Sequence, residues 1–270
     1  LKIAQALSLR GQADSYERQE ATWLLEHILK LSALELKLHM MQALTAEQEQ
    51  AYLDGLMRLA KGEPLAYITG TQPFWTLDLK VTPDTLVPRP DTEILIETVL
   101  NLDLPYQANV VDLGTGTGAI ALALASERPH WHITATDIYA ATLDVAKENA
   151  IKHGLDRVQF ALGAWYQALT AQKFDLIVSN PPYIDPQDPH VLNLQHEPQR
   201  ALVADQHGLA DLEHIITTAR YWLKPNGWVV LEHGFDQAQA VQTRFKQNHY
   251  KNITSIQDYG GNDRVTLAQF

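Results

Sequence analysis

The 270 residues, 46% hydrophobic and 20% charged, suffice for one large or two moderate domains with a real core and exclude a disordered or fibrous chain. There is no cysteine, so neither a disulfide framework nor a thiolate zinc site is possible; no bound metal and a reducing, cytoplasmic setting are the expectations. Lys+Arg of 21 against Asp+Glu of 32 gives a formal net charge of −11, which opposes a broad phosphate-binding surface, so direct nucleic-acid binding is not expected.

No basic segment followed by an apolar one opens the sequence, and export is not expected. Ser15 to Lys30 places Ala21, Leu24, Leu25, Ile28 and Leu31 at three- and four-residue spacings, and Thr45 to Lys61 repeats the pattern with Ala51, Leu53, Leu56 and Leu59. Thr45 with Gln48 has the spacing of a capping box. Residues 1–72 therefore read as a helical head, either a structural cap or a partner-recognition module.

Gly62, Pro64 and Gly70 break that pattern, and Phe74 to Val81 alternates as a strand with Leu77, Leu79 and Val81 on one face. Residues 73–90 read as a hairpin and a stiff linker carrying Pro83, Pro88 and Pro90. Pro90 suits the first turn of a helix through Ile94, Ile96 and Leu100.

Residues 91–270 have a different texture, with short apolar runs separated by helical stretches: Val110–Leu113, His132–Asp137, Val158–Leu162, Phe174–Val178 and Trp228–Leu231. This alternation predicts a mostly parallel sheet covered on both faces. Its longest aliphatic run, Ala119 to Ala125, is far shorter than the roughly 20 residues of a membrane helix, so no membrane association is expected. Asn252–Tyr259 and Arg264–Phe270, joined by Gly260-Gly261-Asn262-Asp263, predict an antiparallel hairpin that closes the sheet at its edge.

Gly114-Thr115-Gly116-Thr117-Gly118 lies directly after a strand and before a helix. Glycines there permit positive φ and let a ligand approach the backbone closely. About twenty residues later the second strand ends at Asp137, whose carboxylate can accept both hydroxyls of an adenosine ribose. A dinucleotide and S-adenosylmethionine both fit this pair; the turn alone does not choose between them.

At the end of the fourth strand stands Asn180-Pro181-Pro182-Tyr183. The prolines fix φ, favour an extended corner and remove two backbone donors, leaving an acceptor-rich site. The side-chain carbonyl of Asn180 and a nearby backbone carbonyl can together hold the two hydrogens of a planar NH₂ group, with Tyr183 as an aromatic wall.

With this tetrapeptide, the sequence resembles methyltransferases that act on an amide or exocyclic amine nitrogen. More narrowly it resembles the peptide chain release factor glutamine methyltransferases. The resemblance runs through Pro64–Gly70, Phe74-Trp75, Val87–Glu93, Asp112–Gly118, Asn180–Tyr183, Glu197-Pro198 with Ala201-Leu202, and Gly260–Val265, nearly the whole chain. It implies an α/β, Rossmann-like S-adenosylmethionine-dependent methyltransferase fold behind a small helical substrate-recognition domain. It also implies methyl transfer to the glutamine side-chain nitrogen in the Gly-Gly-Gln motif of release factors, leaving S-adenosylhomocysteine.

By motif match, Gly114, Thr115, Gly116, Thr117 and Gly118 would line the cofactor, Asp137 would hold its ribose and Trp165 would lie beside its adenine. Asn180, Pro181, Pro182 and Tyr183 would bind the target amide, with Asn180 and Pro181 as the catalytic positions and Asn180 also facing the cofactor. The family commonly carries aspartate before the tryptophan, and this chain has Ala164 there. A monomer is expected. The rival readings are an adenine-N6 nucleic-acid methyltransferase, which needs a basic groove, and a non-catalytic adenosine-binding module. No Gly-x-Ser-x-Gly elbow suggests a hydrolase.

Overall fold

Short polar side chains start the N-terminal helices. Ser15 Oγ accepts the Arg18 N–H at 3.2 Å, and the Thr45–Gln48 capping box closes with bonds of 3.2 and 3.0 Å. The computed structural model describes residues 1–270, the side chains of His190 and Asn193 excepted. Helices α1 (Ile3–Leu7), α2 (Tyr16–Leu29), α3 (Ala33–Leu38), α4 (Ala46–Ala60) and α5 (Leu65–Thr69) make one compact unit, Leu1–Gly70.

The core of this unit includes Leu24, Leu25, Leu36, Tyr52 and Leu59. Helix α4 packs tightly on α2 at Gly55, where an added Cβ would lie 2.6 Å from Leu24 Cδ2. Gly70 ends α5 in the left-handed conformation at φ 78°, and the second unit, Thr71–Phe270, follows at once.

The second unit opens with an antiparallel hairpin, β1 (Thr71–Phe74) and β2 (Leu77–Lys80), in which Phe74 pairs with Leu77. The run expected as one strand is thus broken by a two-residue turn. Trp75 adopts φ 55° there, held at both ends: its backbone N–H donates to Glu93 at 2.8 Å and its indole N–H to Glu127 at 2.7 Å. A 3₁₀ turn over Pro90–Thr92 leads into α6 (Glu93–Leu100).

Then β3 (Asn109–Leu113), α7 (Ala119–Glu127), β4 (His132–Asp137), α8 (Ala140–Lys152), β5 (Gln159–Leu162) and β6 (Phe174–Ser179) follow in order. After a stretch of short turns come α9 (Asp205–Gly208), α10 (Ala210–Ala219), β7 (Leu223–Glu232), α11 (Ala238–Gln247), β8 (Lys251–Gln257) and β9 (Asp263–Gln269).

These strands form one seven-stranded sheet in the order β5-β4-β3-β6-β7-β9-β8. β3 to β7 run parallel, and β9 pairs antiparallel with both β7 and β8. The expected antiparallel hairpin closes the sheet, with β9 as its inner arm and β8 at the rim. Burial explains the order: Val265 to Ala268 are buried in succession, whereas β8 contains no buried residue and suits the rim. The sheet's two faces carry separate cores, one against α6 and α7, the other against α10 and α11. Among the described residues, no helix is long and apolar enough to cross a membrane.

A β-branched side chain at Gly55 has to push α4 away from α2. Gly55→Val should destabilise the helical unit by about 1–3 kcal/mol through overpacking, read as a lower denaturant midpoint for the helical signal. An unchanged midpoint would mean that Leu24 swings aside freely.

Candidate active site

The strand order reverses between β3 and β6, and the carboxyl ends of these two strands frame the crevice where an open α/β sheet takes its ligands. Ser179 Oγ, at the end of β6, donates to the Leu113 carbonyl at 2.6 Å and ties the two strand ends together. Beyond them lies a cavity of about 280 Å³.

The glycine turn forms one wall. Gly114, Gly116 and Gly118 take φ of 72°, 58° and 86°, a backbone that side chains rarely adopt. Asp112, fully buried beneath the turn, holds it through one carboxylate oxygen, which accepts from Thr115 Oγ1 at 2.6 Å and from the Ala121 N–H at 3.2 Å. Its other oxygen has no partner among the described residues, and burial pushes the carboxyl up to about 7.

Asp137 faces the same cavity from the end of β4. One of its oxygens accepts the Gly116 N–H at 3.1 Å and the other the Tyr139 N–H at 3.0 Å. Each oxygen thus keeps a lone pair for a hydroxyl of a ligand. Burial raises the carboxyl above its ordinary range, and the backbone donors oppose that rise. Trp165 closes over the turn, so that a Cβ at Gly114 would meet the indole at 3.2 Å.

Gly114, Thr115, Gly116, Thr117, Asp137, Trp165, Asn180 and Pro182 all line the cavity. Gly118, Pro181 and Tyr183 do not. Gly118 is buried against Leu122 and Ala146, where it permits close packing of α7 on α8, and Pro181 is buried beneath the corner. The Tyr183 ring turns inward because its hydroxyl donates to Glu232 at 3.1 Å and accepts from Arg264, so it braces the corner from behind and forms no wall of the cavity.

Several lining residues escaped the sequence reading. Arg200 stacks on Tyr139 at 4.1 Å and bonds Asp84 at 3.3 Å across the rim. Asp211 brings a carboxyl to the cavity beside Ala164 and Trp165; burial raises it and the Trp165 indole N–H opposes the rise. Neither has a motif of its own in the sequence.

Segment 87–93 gathers these pieces. Buried Glu197 accepts the Val87 N–H at 3.1 Å and pairs with Arg89, while Asp91 faces Arg264 at 3.6 Å. Asn180 Nδ2 donates to Thr92 Oγ1 at 3.3 Å. That bond engages one N–H of the amide and fixes which way it faces. The Asn180 Oδ1 carries no such tie and is the acceptor available at the cavity.

Compared with known families, residues 90–256 match the methyltransferase small domain and residues 3–70 the PrmC N-terminal domain. A curated release factor glutamine methyltransferase of Salmonella typhimurium strain LT2 is 46% identical over 271 residues, covering 99% of this chain and 97% of the relative. The chain belongs to the release factor glutamine methyltransferase family.

Among solved structures, a methyltransferase from Pyrococcus furiosus aligns at TM-score 0.57 and 20% identity, covering 80% of this chain and 98% of that one. A 16S rRNA N2 G1207 methyltransferase from T. thermophilus, in complex with AdoMet and guanosine, aligns at TM-score 0.55 and 18% identity over 74% of this chain and 49% of that one. These two likenesses concern the fold. In this member of the release factor glutamine methyltransferase family, it is a sheet of the methyltransferase type that carries the glycine turn, Asp137 and the Asn180 corner to one crevice.

Proposed function

We propose that the protein transfers a methyl group from S-adenosylmethionine to the side-chain amide nitrogen of the glutamine in the Gly-Gly-Gln motif of peptide chain release factors. Besides family membership, one observation carries this reading: Asn180 lines the cavity with its Nδ2 directed to Thr92, which leaves Oδ1 without a partner among the described residues. What it can offer a ligand is an acceptor, which is what an amide NH₂ requires.

The cavity suits the cofactor. The two Asp137 oxygens match the paired hydroxyls of a ribose, the glycine turn leaves the space a Cβ would take, and Trp165 offers a flat apolar face to a base. Asp211 supplies the acceptor for the base's amino group that Ala164 cannot. When bound, S-adenosylmethionine supplies an electrophilic methyl group on a sulfonium sulfur.

An amide nitrogen is a poor nucleophile because its lone pair is delocalised into the carbonyl. Asn180 Oδ1 accepts one substrate N–H and a nearby backbone carbonyl of the corner the other. Both acceptors push electron density onto nitrogen and stabilise the positive charge that grows there during attack. Holding the nitrogen in line contributes about 7–11 kcal/mol through avoided entropy and reorganisation. The corner is rigid enough for this: Gln237 Nε2 donates to the Tyr183 carbonyl at 2.9 Å, and Gly208 packs so closely that a Cβ there would lie 2.0 Å from that oxygen. After transfer the nitrogen carries an acidic proton that water removes, so no strong base is needed.

Residues 1–70 serve in this reading to recognise the protein substrate. They form a separate unit with a core of their own, and all the cavity-lining residues lie beyond Gly70.

Release factor incubated with the protein and S-adenosylmethionine should gain one methyl group on that glutamine by mass spectrometry; methylation elsewhere, or none, overturns the proposal. Asp137→Ala should weaken S-adenosylmethionine binding by about 1.5–3 kcal/mol, since charge-assisted bonds are lost, and calorimetry giving wild-type affinity would remove Asp137 from the site. Asn180→Ala should lower kcat by about 10²–10³ with little change in cofactor affinity. Asn180→Asp should keep part of the rate, because a carboxylate still accepts from an N–H. Deleting residues 1–70 should spare cofactor binding and raise the KM for intact release factor; an unchanged KM would reduce this unit to a structural cap.

A further inference from the structure

A side-chain amide is nearly symmetric in shape, and a half-turn of Asn180 would present its NH₂ to the cavity in place of Oδ1. Two N–H groups would then face each other and the clamp would repel its substrate. The orientation has to be decided by the groups around Asn180: Thr92, which lines the cavity with it, and the buried end of β7.

Thr92 Oγ1 is the partner, and Thr92 is only 4% exposed. A hydroxyl could serve Asn180 either way, as acceptor from Nδ2 or as donor to Oδ1. Its single hydrogen settles which. Glu232 is 1% exposed and near enough to Thr92 that the hydroxyl favours its ionised form. Its Oε1 accepts from Tyr183, while Oε2 has no hydrogen-bond partner among the described residues. An unpaired buried carboxylate oxygen is costly and draws the nearest available hydrogen. Once the Thr92 hydrogen turns to Glu232, Thr92 can only accept from Asn180, and Asn180 can only present its oxygen.

We propose that Thr92 and Glu232 are positioning residues that commit Asn180 Oδ1 to the acceptor role towards the substrate amide. The proposal rests on the reading of Asn180 as the amide clamp. It gives the Pro90–Thr92 turn and the last residue of β7 a part in the reaction that is exerted through Asn180.

The same relay makes the clamp sensitive to protonation. Burial raises the Glu232 carboxyl to about 7, with Asp91 adding to the rise and Thr92, Tyr183 and Arg264 opposing it. Arg264 is itself shared with Asp258 at 3.1 Å, and the neighbouring His233 is buried and bonded to Thr266 at 2.7 Å. Protonated Glu232 no longer needs the Thr92 hydrogen and can donate one of its own. The orientation of Asn180 is then no longer imposed, so methyl transfer should rise as pH increases through the ionisation of Glu232.

Single-turnover methylation of saturating release factor, with cofactor affinity measured alongside, tests the proposal in the full-length protein. Thr92→Val should slow the chemical step about ten- to hundredfold, the scale of a small misplacement, with S-adenosylmethionine affinity kept within about twofold. Thr92→Ser, which retains the hydroxyl, should recover the rate to within about threefold. Glu232→Gln should keep a measurable rate, since its carbonyl still accepts from Thr92, but lose the rise between about pH 6 and 8 that the wild type shows.

If Thr92→Val transfers methyl at the wild-type rate, or if Glu232→Gln keeps the wild-type pH profile, while Asn180→Ala is impaired, the relay is overturned and the clamp stands. If Asn180→Ala is itself unimpaired, both fall.

Discussion

An amide oxygen is a dependable acceptor only when its own NH₂ is engaged elsewhere. This constraint organises the catalytic unit of the chain. Asn180 sits at the reversal of strand order, and the donation of its Nδ2 to Thr92 fixes what it shows to the cavity. Around that bond stand Thr92 at the foot of α6, Glu232 at the end of β7 and Tyr183 turned inward, three elements far apart in sequence. Pro181 and Pro182 contribute by what they lack. With no backbone N–H at two successive positions, the corner has two fewer donors to compete for Asn180 Oδ1 or to repel a substrate amide.

Buried carboxylates serve as the fasteners of this unit. Asp112 joins the glycine turn to α7, Glu197 joins the segment before α6 to the stretch after β6, and Asp137 spans the turn and the start of α8. A carboxylate suits this role because two oxygens can accept several hydrogens from different segments. The cost is desolvation, seen in the rise of Asp112 and Glu232 to about 7. Where donors are plentiful, the balance reverses: Asp258 accepts from the Gly260 and Asn262 N–H groups and from Arg264, and its carboxyl is held below its usual range.

The parts of this arrangement that could be read from the sequence are those whose cause is local. Thr45 and Gln48 form their capping box because both partners lie within one turn, and β3 to β6 follow apolar runs that need no knowledge of their neighbours. The glycine turn and Asp137 were legible because spacing along a β-turn-α-β unit converts directly into proximity. Tyr183 was not, because its direction depends on Glu232, 49 residues away. Nor was the turn at Trp75, where alternation suggested a continuous strand and hydrogen bonds to Glu93 and Glu127 impose a positive φ. The interior place of β9 belongs to the same class: a hairpin can be recognised from its own residues, but which arm meets β7 depends on the apolar surface that β7 presents.

That interior place has a consequence for how the site forms. β9 is the last strand of the chain, yet it lies between β7 and β8, so the sheet cannot be completed until the final residues are available. β9 also delivers Arg264, which reaches Tyr183, Asp258 and, across the whole catalytic unit, Asp91. Beside it Tyr259 donates to Glu97 of α6 at 2.6 Å, a second bridge between the beginning and the end of that unit. Contacts of such long sequence separation bear the full loop-closure entropy before they return any energy, and they form late. The groups behind Asn180 are drawn from both ends of this closure: Thr92 and Asp91 from the beginning, Glu232 and Arg264 from the end. The acceptor geometry at the cavity therefore draws on both ends of the catalytic unit, and the motif at residues 180–183, though it is the most telling stretch of the sequence, has around it side chains that no local pattern supplies.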